Sequence, residues 1–390
     1  MLHALDGGDD AVSPASRPNR IRQPHSRGRR QPARLQHDGD RRRRHVGGRG
    51  VARDLRPAGQ HRRIRLPSTP SIARTGNMTA APYISWIGHG AANMAAPATF
   101  TGATMTLFGI ETSTAAVQNL VDTLLNPAAG GSVRYVPALP AAIISFSDSP
   151  KCTSQVDAIG WIPGRETMIL VPLWEYIAGH LLPNRLVFWA PYVFIDYTIG
   201  LVTGREVWGW PKVLARIGVA TDAPGADFSC QTTIFPVLAP TTRAEDAVLY
   251  RIVQTQPGAA APPWTSAAEA ALGMIEGLLG GLAEDVLRAL AFQPKIECVV
   301  LKQFRTSDDQ NTCCYQAIVN SPIALTGFAG GGPLFDRFTL EITTCQSHAI
   351  VSDLLGTAPQ PGSTSLPVIF AAWAKVDYAA LPGTAVVVAT

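Results

Sequence analysis

Long apolar runs, lysine and histidine are scarce in this sequence of 390 residues. No apolar run approaches the roughly 20 residues that a membrane-spanning helix needs, and neither Met1 nor Met78 precedes a basic region with an apolar signal core. We therefore expect a cytoplasmic protein with no membrane partner. The six cysteines include no C-x-x-C pair, so we expect buried free thiols, with a strained Cys313–Cys314 disulfide as the weaker alternative.

Motifs for metals, nucleotides and serine nucleophiles are also missing. His89, His180 and His348 are the histidines after Met78, and none lies at ligand spacing with cysteines or carboxylates. Gly330–Gly332 lacks the strand and helix that flank a nucleotide-binding glycine loop. No Gly-x-Ser-x-Gly elbow is present. The sequence therefore predicts no metal site and no cofactor.

Residues 1–77 differ in composition from the rest of the chain. They hold 18 arginines, six aspartates, no lysine and no glutamate, for a net charge of +12, while residues 78–390 carry −8. Without aromatic residues or apolar periodicity, this leader cannot bury enough surface to fold, so we expect it to be disordered. An arginine cluster such as Arg41–Arg44 could bind nucleic acid. A transit peptide would be amphipathic and rich in serine, which the leader is not. We favour an over-extended start at Met1, with the native chain beginning at Met78, and expect no nucleic-acid partner.

Residues 78–390 have the pattern of a strand-rich α+β domain. Short β-branched or aromatic runs, separated by Pro and Gly, predict many strands. They are Ala141–Phe146, Thr167–Val171, Arg185–Ile195, Ile199–Thr203, Ser229–Phe235, Ala247–Gln254, Ile296–Gln303, Cys314–Asn320 and Arg337–Thr343. Ser113–Leu125 and Ser266–Leu290 have helical spacing, and Ser266 with Glu269 forms a capping box. Pro257–Pro263, Gly330–Pro333 and Ala358–Pro367 are predicted loops. Many short strands with a few outer helices indicate a curved, barrel-like antiparallel sheet.

Lys212 is the residue with the most unusual surroundings. It follows a Trp208-Gly209-Trp210-Pro211 corner and an almost wholly apolar stretch, Leu186–Ile195, although lysines normally lie in solvent. Lysine occurs only five times, at 151, 212, 295, 302 and 375. One interpretation is that the stem lies along the corner while the ammonium reaches water. The other is a desolvated amine that attacks a carbonyl and forms a Schiff base.

The stretch GREVWGWPKVLA around Lys212 resembles the signature of the acetoacetate decarboxylase family. In that family the lysine after the proline is the Schiff-base nucleophile, and a neighbouring cation activates it. The resemblance therefore implies a cone-like barrel, a catalytic role for Lys212 and a homo-oligomer. The family has a second lysine next to the first, where this chain has Val213.

Further segments extend the resemblance. The stretch GWIPGRETMILV leads into Pro172. The family's active-site glutamate lies six residues before a comparable proline, and the residue at that position here is Glu166. Without the resemblance, Glu166 could equally be an exposed strand-edge carboxylate beside Arg165. Val300–Arg305 and Cys314–Val319 look like paired strands of longer members of the superfamily. The family's early arginine has no counterpart in Thr101–Met105.

The chemistry requires a neutral amine at Lys212. A free lysine has a pKa of about 10.4, so neutralising it at pH 7 costs about 4–5 kcal/mol. Burial depresses a lysine pKa by up to about 3–5 units, and Trp208 and Trp210 are the expected walls of the pocket. Val213 is expected to line the same pocket, in place of a cation, so desolvation is the effect that the sequence offers. Arg205 and Glu206 are expected near the pocket, as a structural pair behind the corner.

Three functions remain open at this point. The first is a Schiff-base lyase that decarboxylates a small 3-oxo acid through a Lys212 imine, with Glu166 as a proton shuttle or orienting group. The second is an aldolase or dehydratase that uses the same imine. The third is a barrel of the same fold that binds a small ligand without chemistry, which Val213 and the missing arginine favour.

Overall fold

The computed structural model describes residues 82–85, 88–89, 93–220, 228–259, 261–279, 295–309, 311–358 and 362–388. Every described residue lies in one compact unit, Ala80–Thr390. The predictions for the leader, and for the helix beyond residue 279, lie outside the described residues.

Strands make up most of the described fold. They are β1 (Ala98–Glu111), β2 (Val133–Pro137), β3 (Ala141–Ser154), β4 (Ile162–Ile177), β5 (Arg185–Ile195), β6 (Lys212–Gly218), β7 (Phe228–Ile234), β8 (Glu245–Gln256), β9 (Lys295–Ile296), β10 (Cys298–Arg305), β11 (Cys313–Asn320), β12 (Ile323–Pro333), β13 (Arg337–Thr343), β14 (Ser363–Ala380) and β15 (Thr384–Val388). The predicted runs Arg185–Ile195 and Arg337–Thr343 match β5 and β13 end to end.

The strands form one mixed sheet that closes on itself. Hydrogen bonds connect β5, β6, β7, β8, β13, β14, β1, β3 and β4 in that order, and β4 pairs with β5 to complete the ring. Most pairings are antiparallel, but β5 runs parallel to both β6 and β10. The predicted α+β class with a barrel-like sheet is confirmed, with these two parallel pairings as departures from an antiparallel order.

Four α-helices lie beside the sheet within the described ranges: α1 (Thr114–Leu124), α2 (Thr198–Thr203), α3 (Ala267–Leu279) and α4 (Ile350–Leu355). Helix α1 begins as predicted, because the side chain of Ser113 accepts the N–H of Ala116, at 3.3 Å. Ser266 accepts the N–H of Glu269 at 3.2 Å, which confirms the predicted cap of α3. None of these helices combines the length and apolar character that crossing a bilayer requires.

The strands of the ring have two apolar faces. The main core lies on one face and includes Phe146, Phe194 and Tyr250, each no more than 1% exposed. A second core lies on the other face, where Val193 packs with Trp208 and Trp210. Because side chains alternate along a strand, adjacent residues of β5 contribute to different cores.

Three predictions of local structure differ from the observed fold. The segment Ile199–Thr203, predicted as a strand from its β-branched residues, lies in helix α2. The physical reason is the parallel pairing of β5 with β6, which requires a crossover connection rather than a hairpin. Gly330–Pro333, predicted as a loop, ends strand β12, because β14 offers its backbone groups as partners over that length. The predicted loop Ala358–Pro367 is likewise cut short, since β14 begins at Ser363.

Candidate active site

The Lys212 corner, which we define as Gly204–Lys212, connects helix α2 to strand β6. Its π-helical turn, Gly204–Trp208, closes where the N–H groups of Gly209 and Trp210 both donate to the carbonyl of Gly204, each at 2.9 Å. Gly209 has a φ of 96°, a backbone region that glycine enters without steric cost. The chain therefore leaves the turn sharply, and Lys212 becomes the first residue of β6.

Gly204 also makes room for the side chain of Lys212. A Cβ atom at Gly204 would lie 2.4 Å from Cδ and 2.5 Å from Cε of Lys212, far inside van der Waals contact. The stem of the lysine therefore lies directly against the backbone of the turn. Any side chain at Gly204 would push the amine away from its present position.

Strand β5 brings Lys212 and Glu166 together from its two edges. Glu166 of β4 pairs with Ile195, and Lys212 of β6 pairs with Val193, two residues earlier on β5. Both side chains lie on the same face of the sheet, because Val193 and Ile195 share a face. The Nζ atom of Lys212 donates a hydrogen bond to Oε2 of Glu166. The side chains are 11% and 21% exposed, so the pair is largely but not wholly removed from water.

Neutral polar groups lie around the Lys212–Glu166 pair. Burial raises the pKa of the Cys152 thiol to about 11, although a hydrogen bond from Tyr197 and the charge of Lys212 act in the opposite direction. Burial and the charge of Glu166 hold the pKa of Tyr378 above its ordinary value, against hydrogen bonding to Ser147 and its neighbour Ser149. At neutral pH these groups are therefore protonated, and they present hydrogen-bond donors rather than charges.

Two glycines fix the ring of Tyr197 beside this site. A Cβ atom at Gly164 would lie 2.0 Å from the ring, and one at Gly200 would lie 2.4 Å from it. Burial raises the pKa of the Tyr197 hydroxyl, and the charge of Glu166 adds to that effect. The phenol is thus held in one place, next to the carboxylate.

Comparison with known families agrees with this geometry. The family model described as acetoacetate decarboxylase (ADC) matches residues 87–237, which contain both Glu166 and Lys212. The resemblance to acetoacetate decarboxylases is confirmed. The matched segment ends before β10 and β11, so the paired strands predicted for longer members of the superfamily lie outside the match.

Several solved structures also show a likeness to this chain. Acetoacetate decarboxylase from Legionella pneumophila subsp. pneumophila str. Philadelphia 1 is 15% identical, with a TM-score of 0.48 over 80% of this chain and 93% of that one. The enduracididine biosynthesis enzyme MppR complexed with pyruvate is 14% identical, with a TM-score of 0.46 over 80% and 98% of the two chains. An acetoacetate decarboxylase-like enzyme from Sphingomonas wittichii RW1 is 12% identical, with a TM-score of 0.43 over 80% and 100%. No curated protein sequence matches the chain.

The aromatic residues of the family signature are buried in the second core. Trp208 and Trp210 are each 5% exposed, and the indole N–H of Trp208 donates to the carbonyl of Leu381 at 2.8 Å. Both rings therefore anchor the Lys212 corner in the second core. Val213 packs against the main core, on the other side of β6 from Lys212, so the structure does not bring it to the pair.

Arg205 and Glu206 lie at the outer side of the corner and contact different partners. The guanidinium of Arg205 donates to the carbonyl of Lys212 at 3.0 Å. Glu206 accepts a hydrogen bond from the side-chain amide of Asn93 at 2.7 Å. The first contact fixes the backbone of the corner and the second joins the corner to Asn93. The two residues therefore support the corner separately, rather than as the predicted pair.

Sequence reasoning missed several residues of this site. Lys302 of β10 contacts the corner through its ammonium. Cys152, Tyr197 and Tyr378 come from three different segments, and the charge of Glu166 raises the pKa of each. Two signals in the sequence could have indicated Lys302. Lysine is scarce in this chain, and Lys302 lies on the same predicted strand face as the apolar residues Cys298 and Val300. The thiol and phenols have no such signal, because only the folded ring brings them together.

Other surface features lie apart from this pair. An open groove with a volume of about 500 Å³ is lined by Arg134, Tyr176 and His180 at the β2–β4 edge. In the part of the chain that the structure describes, no three His, Cys, Asp or Glu side chains gather in a way that suits a metal ion.

Proposed function

We propose that this protein is a Schiff-base enzyme in which Lys212 binds the carbonyl carbon of a small oxo acid. The observation that carries the proposal is the contact between Lys212 Nζ and Glu166 Oε2, within a largely buried site beside three neutral proton donors. The family match over residues 87–237 supports it, because both members of the pair lie within the match. The specific reaction that we propose is decarboxylation of a 3-oxo acid.

The first step needs a neutral amine, and Glu166 is placed to produce it. The carboxylate accepts a proton from the Lys212 ammonium, which frees the lone pair on Nζ. That pair attacks the ketone carbon of the substrate to give a carbinolamine. A proton returned to the carbinolamine oxygen lets water leave, and a protonated imine forms.

The imine then accepts the electron pair of the bond that breaks. When the carboxylate leaves as CO2, the pair of its C–C bond moves into the imine and gives an enamine. Protonation of the enamine carbon restores the imine, and attack by water releases the ketone and the free amine. The charge of Glu166 acts on the hydroxyl groups of Tyr378 and Tyr197, and we propose these neutral groups as candidates to supply the protons.

A second candidate is aldol condensation or dehydration through the same imine. The early stretch Thr101–Met105 lies in β1, where Met105 pairs with Ser147 of β3 and Ser147 pairs with Glu166 of β4. Met105 is therefore the residue of this stretch that pairs towards Glu166. It carries a thioether, whereas the resembled family has an arginine in the corresponding stretch. A substrate carboxylate gains little from a thioether, which favours a reaction that keeps the carboxylate in place.

Product analysis separates the two reactions. The protein is incubated with acetoacetate in one set of samples, and with pyruvate and a small aldehyde in another. Release of CO2 and acetone from the first supports decarboxylation, while a condensation product from the second supports the aldol reaction. Lys212→Met should abolish either activity. Binding of the oxo acids with no product, and with affinity unchanged in Lys212→Met, would contradict both and leave a ligand-binding barrel.

A further inference from the structure

Lys302 makes an unusual set of contacts for a lysine on a sheet. Its ammonium donates to the carbonyl of Val207 at 3.0 Å, in the turn of the Lys212 corner. The same ammonium lies 5.7 Å from the ring centroids of Phe304 and of Tyr315. A cation over aromatic rings is attracted to their faces. The side chain is thus held from two sides, by a peptide carbonyl and by two rings.

The stem of Lys302 lies against the same corner. A Cβ atom at Gly209 would lie 2.5 Å from Cβ and 2.8 Å from Cα of Lys302, so the two backbones approach closely at this point. Gly209 is the residue at which the turn ends. Strand β10 therefore contacts the turn through backbone packing at Gly209 and through a charged hydrogen bond at Val207.

The location of the Val207 carbonyl explains why a cation suits it. The last carbonyls of a helical turn lack partners within the turn, and they carry partial negative charge that attracts cations. Burial lowers the pKa of Lys302, against the nearby charge of Glu206. The half-buried ammonium of Lys302 donates to the Val207 carbonyl, which an apolar side chain at this position would leave without a donor.

The corner transmits its position to Lys212 through short connections. Lys212 follows Gly209 by three residues, and its N–H donates to the carbonyl of Trp210 at 2.8 Å. Its side chain lies against Gly204, the residue that accepts the two hydrogen bonds closing the turn. A shift of the turn would therefore carry the amine away from Glu166.

We propose that Lys302 is a positioning residue for the Lys212 nucleophile. It attaches strand β10 to the Lys212 corner and keeps the amine at the carboxylate of Glu166, without touching the substrate. This inference rests on the proposed Schiff-base function, and it adds a residue outside the segment that the acetoacetate decarboxylase family model matches.

The test compares Lys302→Met, Lys302→Arg and the matched control Lys375→Met, which changes an exposed lysine of β14. Imine formation is measured as the rate at which borohydride traps a pyruvate or acetoacetate adduct on Lys212. Because small displacements of a reacting group cost up to about 100-fold in rate, we expect Lys302→Met to trap about 10- to 100-fold more slowly at saturating probe. Lys302→Arg, which retains a cationic donor, should recover most of the rate, and Lys375→Met should match the unchanged protein.

Two further readouts separate positioning from other effects. Rates are normalised to the folded fraction from circular dichroism, so that a loss of folding alone is not counted as a loss of imine formation. The second readout is the maximal trapping rate at alkaline pH, which should fall because Lys302 acts through the position of the amine. An unchanged trapping rate in Lys302→Met, or a shifted pH midpoint with an unchanged maximal rate, would overturn the proposal.

A chemical probe keeps the test independent of the proposed function. If the unchanged protein forms no adduct with either oxo acid, the Schiff-base proposal fails on its own. The positioning of Lys212 is then measured by its rate of acylation with an amine-selective reagent, followed by peptide mass. A changed acylation rate in Lys302→Met, with recovery in Lys302→Arg, supports the positioning role, and an unchanged rate refutes it.

Discussion

Strand β4 carries two ion pairs that differ in almost every physical respect. Glu175 accepts hydrogen bonds from Arg185 at 2.8 Å and 3.0 Å, from Asn184 at 2.8 Å and from Tyr135 at 3.2 Å. Its side chain is 3% exposed. Glu166, nine residues earlier, has Lys212 as its ion-pair partner and remains 21% exposed. One carboxylate is held by four hydrogen bonds, while the other is joined to an amine that can lose its proton.

The difference shows how one strand can carry both a structural ion pair and the pair that we propose for catalysis. A guanidinium stays charged at any pH that a protein experiences, so Arg185 fixes Glu175 in its charged form. Burial alone would raise the pKa of Glu175, but hydrogen bonds from Arg185 and Asn184 outweigh burial and leave the pKa lowered. Lysine is the cation that exchanges a proton readily when buried. The Lys212–Glu166 pair is therefore the one suited to nucleophilic catalysis.

The largest effect should follow from removing the charge of Glu166. Glu166→Gln keeps the size of the side chain but cannot accept the proton of Lys212, so we expect turnover to fall by about 10²- to 10⁴-fold. The matched control is Glu341→Gln, in an exposed pair with Arg251 at 2.7 Å. Steady-state rates on the oxo acid that the protein turns over provide the measurement. A Glu166→Gln variant with the full rate would remove Glu166 from the mechanism.

The second prediction concerns stability at the other pair. Glu175→Gln leaves the Arg185 guanidinium with Glu297 as its remaining carboxylate, at 3.3 Å. Breaking a buried pair costs about 3–5 kcal/mol, and the contact with Glu297 favours the lower end of that range. The free energy of unfolding, from denaturant titration, should therefore fall by about 3 kcal/mol, while the rate per folded molecule stays the same. Equal stability of the variant and the unchanged protein would show that the pair contributes nothing net.

Gly204→Ala tests how tightly the amine is positioned. The added methyl group would lie 2.4 Å from the stem of Lys212, so the lysine must move. We expect a loss of turnover of about 10- to 100-fold, as for other small displacements of a reacting group. Gly332→Ala is the matched control, because the nearest atom to its Cβ would be at 3.6 Å. Two variants with equal rates would show that the contact with Gly204 has no bearing on the chemistry.

The smallest effect is on acid stability. Because the folded pKa of Glu175 is lowered, its contribution to stability is present above the unfolded pKa of about 4.3 and is lost as pH falls through the folded value. The slope of stability against pH below about 4.3 should therefore be shallower in Glu175→Gln, which has no carboxyl group to protonate at this position. Thermal melting between about pH 2.5 and 6, a range that spans the titration of the carboxyl group, measures this slope. Parallel curves would exclude Glu175 as a source of acid sensitivity.

The sequence predicts those features that depend on local pattern. Arg185–Ile195 has the composition of a strand, and the Trp-Gly-Trp-Pro corner before Lys212 matches a known signature, so both are found from the residues alone. The segment Ile199–Thr203 is wrongly predicted as a strand because its side chains favour one. Only the parallel pairing of β5 with β6, which is not local, requires a helical connection there.

Residues that meet across the closed ring could not be predicted in this way. Lys302 donates to Val207 from 95 positions further along the chain, and no spacing rule connects the two. Tyr378 comes near Glu166 because β14, β1, β3 and β4 are neighbours in the ring. The sequence therefore indicated the proposed nucleophile and its carboxylate, while the groups that we propose to position them required the fold.

The most direct test of the central claim is reductive trapping on the unchanged protein. Borohydride is added during incubation with acetoacetate or pyruvate, and the modified peptide is located by mass spectrometry. The Lys212–Glu166 pair predicts one adduct, on Lys212, that is absent from Lys212→Met. An adduct on another lysine, or trapping that persists in Lys212→Met, would contradict the assignment of Lys212 as the nucleophile.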